Sequence, residues 1–154
     1  MITSFLVDVS DIPLNIPLFS HHISAGFPSP AEDYIEDQLN LQDLMVSHPS
    51  STYFLQVEGE SMIDAGIFGG DILVVDKAKT PQSGDIIVAI LDGEFTVKRW
   101  FRQGSQHILR AENINYPDIV IDPQKHHDFE IWGVVTFAIH QFQTASFSQK
   151  QKSS

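Results

Sequence analysis

The chain has 154 residues and a formal net charge of −11, from 20 Asp and Glu against 9 Lys and Arg. That length suits one domain with tails, and the absence of cysteine removes disulfides and thiolate nucleophiles from consideration. The acidic balance argues against direct DNA binding, which relies on clustered cations that displace counterions from phosphates, so work near DNA would need a partner.

The chain opens without the basic start and apolar run of a signal peptide, and no stretch approaches the ~18 apolar residues of a membrane span. A cytoplasmic protein away from membranes is expected. Pro13, Pro17, Pro28 and Pro30 interrupt helical and strand periodicity across residues 1–28, each fixing φ and removing a donor. The apolar clusters Ile12 to Ile16, Leu18-Phe19 and Ile23 make this stretch an expected arm that docks in extended form. Ser29-Pro30-Ala31-Glu32 is a capping box with proline at the first helical position. Tyr34, Ile35, Gln38 and Leu39 then predict a short helix with one apolar face. Asn40-Leu41-Gln42-Asp43 predicts a second helical turn carrying Leu44 and Met45, and His48-Pro49-Ser50-Ser51 closes the helical part.

From Thr52 the pattern is β. Tyr53 to Val57 predicts the first strand, and two near-continuous apolar runs follow, Ile72 to Asp76 and Ile86 to Leu91, each opened by Gly-Asp. Runs without polar alternation predict strands buried on both sides. Asp92-Gly93 between two such strands is a type I′ hairpin signal, pairing the Ile86 run with Phe95 to Phe101. Gln106 to Ala111, Ile119 to Ile121 and Ile131 to Ile139 predict further strands, and the Gln, Ser and Lys-rich residues 141–154 predict a disordered tail. The expected architecture is mainly β: a compact domain over residues 29–140 with a short helical cap, preceded by the extended arm 1–28.

Two residues carry the chemistry. Ser61, in Gly59-Glu60-Ser61-Met62, follows a strand at a glycine turn that would expose its hydroxyl. Lys98, in Phe95-Thr96-Val97-Lys98-Arg99-Trp100, shares one strand face with Thr96 and Trp100, and the indole is expected to shield it from water. A hydroxyl attacks an amide at neutral pH only with a base, and a lysine is that base only when burial keeps it neutral. A lysine on a strand otherwise faces solvent. The pair points to a Ser-Lys peptidase.

The surrounding motifs strengthen this reading. Phe27-Pro28-Ser29-Pro30, His48-Pro49-Ser50, Thr52-Tyr53-Phe54, Glu60-Ser61-Met62-Ile63-Asp64, Gly70 to Asp76, Asp92 to Lys98 and Phe129 to Val135 stand in an order and spacing that resemble UmuD-type proteins. These are relatives of LexA-like self-cleaving repressors and, more distantly, of signal peptidases. The resemblance covers Phe19 to Ile139. It implies a LexA and signal-peptidase-like β fold, with Ser61 as nucleophile, Lys98 as base and the backbone N–H groups of Glu60 and Ser61 as oxyanion donors. It also implies self-cleavage in the arm at a small-residue-glycine bond, here Ala25-Gly26. Many UmuD-type proteins carry cysteine where this chain has Ala25; LexA-like repressors carry alanine, and either is small.

The same resemblance implies the biology of the SOS response. A RecA-type filament formed after DNA damage promotes cleavage. The shortened homodimeric product then serves as accessory subunit to an error-prone Y-family polymerase in translesion synthesis. No cofactor or metal is implied. The 24 residues before Ala25 are too few and too proline-broken for a helix-turn-helix, so a repressor is not expected. His21-His22 and His126-His127 are adjacent pairs without metal-ligand spacing. His107 is an alternative base, without the aromatic neighbours of Lys98. The competing reading is a non-catalytic dimeric interaction subunit of a polymerase complex with a vestigial Ser-Lys pair.

Overall fold

The computed structural model describes residues 16–19, 22–28, 30–31 and 35–143, and the chain divides into two units, residues 1–47 and 48–154. In the first, β1 (Ile16–Phe19) pairs antiparallel with β2 (Ile35–Leu39), placing Ile16 opposite Leu39 and Leu18 opposite Asp37.

Two expectations change here. The arm contains a regular strand despite Pro17, because a two-stranded ribbon leaves each strand an open edge, where proline is tolerated. The helix expected from Tyr34 to Leu39 is instead β2. The four-residue spacing of Ile35 and Leu39 suits a helical face, but so short a stretch is also compatible with a strand, and pairing with β1 decides the outcome. The capping residues Ser29 and Glu32, like Tyr34, lie outside the described residues. The next turn forms as expected: α1 (Leu41–Met45) is capped by Asn40, whose side chain accepts the Asp43 N–H at 3.2 Å.

The second unit begins with a 3-10 turn at Pro49–Ser51 and continues through β3 (Thr52–Gln56), β4 (Ile72–Asp76), β5 (Ile86–Leu91), β6 (Glu94–Gln103), β7 (Gln106–Arg110), β8 (Ile119–Val120) and β9 (Glu130–Ile139). All seven strands join one antiparallel sheet in the order β3-β4-β9-β5-β6-β7-β8. The last strand is thus inserted between β4 and β5. Its register slips once against each neighbour, passing over Thr136 opposite Val74-Val75 and Trp132 opposite Val88-Ala89. Such bulges sharpen the local twist of a strand.

The apolar runs find cores on both sides. Val88 packs with Met62, Ile67, Leu73 and Val75, whereas Ile87 and Ala89 pack with Trp100, Leu109 and Ile121. Since neighbours on a strand point to opposite faces, β5 is sandwiched between two cores. Gly133 lies where β9 presses on the first: a Cβ there would meet Val75 Cγ1 at 2.6 Å.

Each end of β4 is closed by a buried aspartate. Asp71 accepts the Phe68 N–H at 2.9 Å and pairs with His140, and Asp76 pairs with His48 at 2.6 Å and accepts the Ala78 N–H at 2.8 Å. The β5–β6 hairpin has φ of 51° at Asp92 and 77° at Gly93, both positive as a type I′ turn requires. Asp128 accepts both turn N–H groups, at 3.1 and 2.6 Å. The ladder below that turn sets Ile87 opposite Lys98. Among the described residues no helix is long and apolar enough to cross a membrane. Of the expected disordered tail, residues 144–154 lie outside the described residues.

Candidate active site

The serine turn is built on backbone pairing that runs past the end of β3. The Val57 N–H donates to Asp71 O at 2.9 Å and Val57 O accepts the Gly70 N–H at 2.8 Å. The chain then reverses at Gly59, whose φ of +88° is a conformation side chains disfavour. Gly69 packs against that turn so closely that a Cβ on it would lie 3.4 Å from Gly59 O. Three residues after Gly59, Met62 is 3% exposed in the first core. The buried methionine anchors the turn and leaves its neighbour Ser61 on the wall of a cleft of about 400 Å³.

Lys98 reaches the same cleft from β6. Its Nζ lies 3.1 Å from Ser61 Oγ, 3.1 Å from Thr96 Oγ1 and 3.1 Å from Val97 O. Burial pushes its pKa below that of a solvated lysine. The three partners match both charge states. An ammonium has three N–H donors for three acceptors. A neutral amine keeps two, satisfied by Thr96 and Val97, and turns its lone pair to the Ser61 hydroxyl. The arrangement is therefore able to take a proton from Ser61 without stranding a donor. Sequence reasoning named Thr96 only as a residue on the same face; its two-residue spacing from Lys98 was the available signal.

The apolar cover over Lys98 differs from expectation. The cleft is walled by Leu55, Val57, Met62, Val88, Phe95 and Val97, and Trp100 is absent from it. The indole is buried in the second core instead, stacked on His107 with its Nε1–H donated to His107 Nδ1 at 3.0 Å. That bond occupies Nδ1 of the alternative base and leaves the proton of its neutral ring on Nε2. A second cavity of about 370 Å³, lined by Leu91, Tyr116, Pro117 and Ile119 among others, shares Phe95, Thr96 and Lys98 with the first. The lysine thus has open space on two sides.

Among the described residues, the Glu60 and Ser61 N–H groups have no protein acceptor, and of the two residues Ser61 lines the cleft while Glu60 does not. Glu60 O accepts Asn113 Nδ2 at 2.9 Å and the Ile63 N–H at a longer 3.4 Å. Asn113 was not anticipated; nothing in its spacing from Ser61 marks it. In the first unit, Ala25 and Gly26 are exposed in a bend where Ser24 Oγ accepts the Gly26 and Phe27 N–H groups at 3.3 and 3.1 Å. Of the four histidines in adjacent pairs, His126 accepts the Asp122 N–H at 2.9 Å, and His21 lies outside the described residues.

Residues 17–136 match the family model described as Peptidase S24-like. The chain is 47% identical over 125 residues to Protein MucA of Salmonella typhimurium, covering 81% of this chain and 84% of MucA. It is 44% identical over 130 residues to Protein ImpA of Shigella flexneri, covering 81% and 83% respectively. The LexA repressor of Clostridium kluyveri is 39% identical over 103 residues, 67% of this chain and 51% of the repressor. The match spans the arm strand, the serine turn and the lysine strand in order, and the chain belongs to the peptidase S24-like family, as a UmuD-type member.

Proposed function

We propose that this protein is a self-cleaving serine endopeptidase of the SOS DNA-damage response, with Ser61 as nucleophile and Lys98 as its base. The reading rests above all on the 3.1 Å approach of Lys98 Nζ to Ser61 Oγ in a cleft that lowers the lysine pKa. Residues 1–28 act as the cleavable arm, 29–140 as the peptidase body and 141–154 as a tail.

In the proposed reaction neutral Lys98 takes the Ser61 proton as Oγ attacks the Ala25 carbonyl carbon. The Glu60 and Ser61 N–H groups stabilise the oxyanion. The Ala25–Gly26 C–N bond breaks, and the Lys98 ammonium protonates the Gly26 nitrogen. Lys98 next deprotonates a water that hydrolyses the Ala25 ester, freeing Ser61. A substrate carried on the same chain, or on the second chain of a homodimer, has a high effective concentration and needs no general substrate pocket. Each arm is cut once. An extended pose in the cleft requires the two Ser24 hydroxyl bonds across Ala25-Gly26 to open first.

A RecA-type filament is the proposed promoter of that pose. The shortened form would join a Y-family error-prone polymerase as accessory subunit in the cytoplasm, with DNA contacts left to its partners. The test is to incubate the protein with RecA on single-stranded DNA and a nucleotide triphosphate. Faster appearance of a Gly26 N-terminus supports the reading. No shortening with or without filament overturns it and leaves a non-catalytic interaction subunit.

A further inference from the structure

We propose that Asn113 is a positioning residue that aims the Ser61 N–H at the oxyanion; the inference deepens the peptidase reading and rests on it. The Glu60 C=O and Ser61 N–H belong to one trans peptide unit, so they point in opposite directions. Whatever holds the carbonyl sets the amide. Asn113 Nδ2 holds it at 2.9 Å, closer than the Ile63 N–H at 3.4 Å, and Asn113 is 8% exposed, where water competes poorly for the bond. Neither Glu60 nor Asn113 lines the cleft, whereas Ser61 does. The carbonyl is therefore turned away from the cleft, and the amide opposite it is turned inward.

The asparagine is itself fixed in one orientation. Its Oδ1 accepts the Asn115 N–H at 3.0 Å, which leaves Nδ2 as the only end able to face a carbonyl. Its own C=O accepts the Tyr116 N–H at 3.1 Å. The preceding residue ties the loop to the serine turn, since Glu112 O accepts the Asp64 N–H at 2.8 Å. The Glu112 carboxylate is clamped by Arg99, which also donates to Gly84 O at 2.7 Å. Arg99 adjoins Lys98 on β6, so one brace joins the strand of the base to the peptide that carries the oxyanion donor. A peptide free to flip would present a carbonyl oxygen where the developing negative charge needs a donor.

Asn113→Asp removes the donor while keeping the shape and the acceptor for Asn115, setting a carboxylate oxygen against Glu60 O, and Asn113→Ala removes it without adding charge. Rates of self-shortening are measured across alkaline pH for the parent, Asn113→Asp and Asn113→Ala, with the Ser61 amide resonance followed by NMR. Losing an aimed oxyanion donor is expected to lower the plateau rate by about ten- to a thousandfold in both variants. The pH midpoint of Lys98 is expected to stay unmoved in the uncharged Asn113→Ala and to move upward in Asn113→Asp by its added carboxylate. The Ser61 N–H resonance is expected to shift in Asn113→Asp. A plateau within about twofold of the parent in both variants, or a loss in Asn113→Ala accompanied by a moved midpoint, overturns the positioning role. A parent that never shortens refutes the peptidase reading separately. The amide resonance then judges the anchor, and an unshifted Ser61 N–H in Asn113→Asp overturns it.

Discussion

Ser61 and Lys98, 37 residues apart, meet with their reactive atoms at 3.1 Å because a buried neighbour fixes each one. Met62 pins the serine turn in the first core, and the β5–β6 ladder sets Lys98 opposite the fully buried Ile87. The two side chains are held from separate elements, a turn and a strand, so the fold restricts the pair more than either element could alone.

If the pair acts as a unit, its losses do not add. Ser61→Ala or Lys98→Ala is expected to slow self-shortening by at least about a thousandfold, and the double variant is expected to be scarcely slower than either. Intact-mass time courses measure this. Independent losses that multiply in the double variant would show two separate contributions.

The base works as the free amine, and burial lowers the Lys98 pKa. The rate should therefore climb from neutral pH and level off below the pH at which a solvated lysine titrates. Stability moves with the same sign: the folded state binds this proton less tightly than the unfolded chain. Burial of Lys98 thus costs stability below its folded pKa, and that cost is relieved as pH rises from the folded toward the unfolded value. Lys98→Arg, permanently charged, should not shorten at any of these pH values. A rate that is flat from neutral to alkaline conditions would mean that proton loss from Lys98 is not required.

Asp76 titrates in the opposite sense. Burial pushes its carboxyl up, but the His48 hydrogen bond and the N–H groups of Ala78 and Lys79 outweigh it, leaving the pKa below the usual carboxylate range. Its contribution is present above the unfolded pKa and lost as pH falls through the lower folded value. Asp76→Asn should melt several degrees lower at neutral pH and lose less of its remaining stability on acidification. Parallel melting curves against pH for parent and variant would contradict that linkage.

Gly133→Ala should destabilise the second unit by about 1–3 kcal/mol, because the new methyl meets Val75 Cγ1 at 2.6 Å inside a closed core. Val75→Ala in the same chain removes the offending methyls, so the double variant should cost less than the sum of the two singles. Denaturant melts of the four proteins decide it.

Much of the fold was legible because it is local. Asp92-Gly93 dictates its own turn, and the unbroken apolar runs at Ile72 and Ile86 have no soluble alternative to burial on both faces. The strand Ile35–Leu39 was not legible, since five residues fit either period and the partner that decides, Ile16–Phe19, lies beyond proline-rich sequence. For Trp100 the alternation identified the face, while the direction of the indole depended on His107, seven positions later on the next strand. Ser61 and Lys98 stood out through motif and chemistry. Asn113 did not, because a side chain that orients a backbone peptide 53 positions away leaves no periodic trace.

The most direct test of the account is the intact mass of purified protein held at alkaline pH beside its Ser61→Ala variant. The parent is expected to lose residues 1–25 as one fragment while the variant keeps its full mass. A parent that stays whole at alkaline pH and also with a RecA-type filament on single-stranded DNA, or a variant that sheds the same fragment, would contradict Ser61-dependent cleavage at Ala25-Gly26.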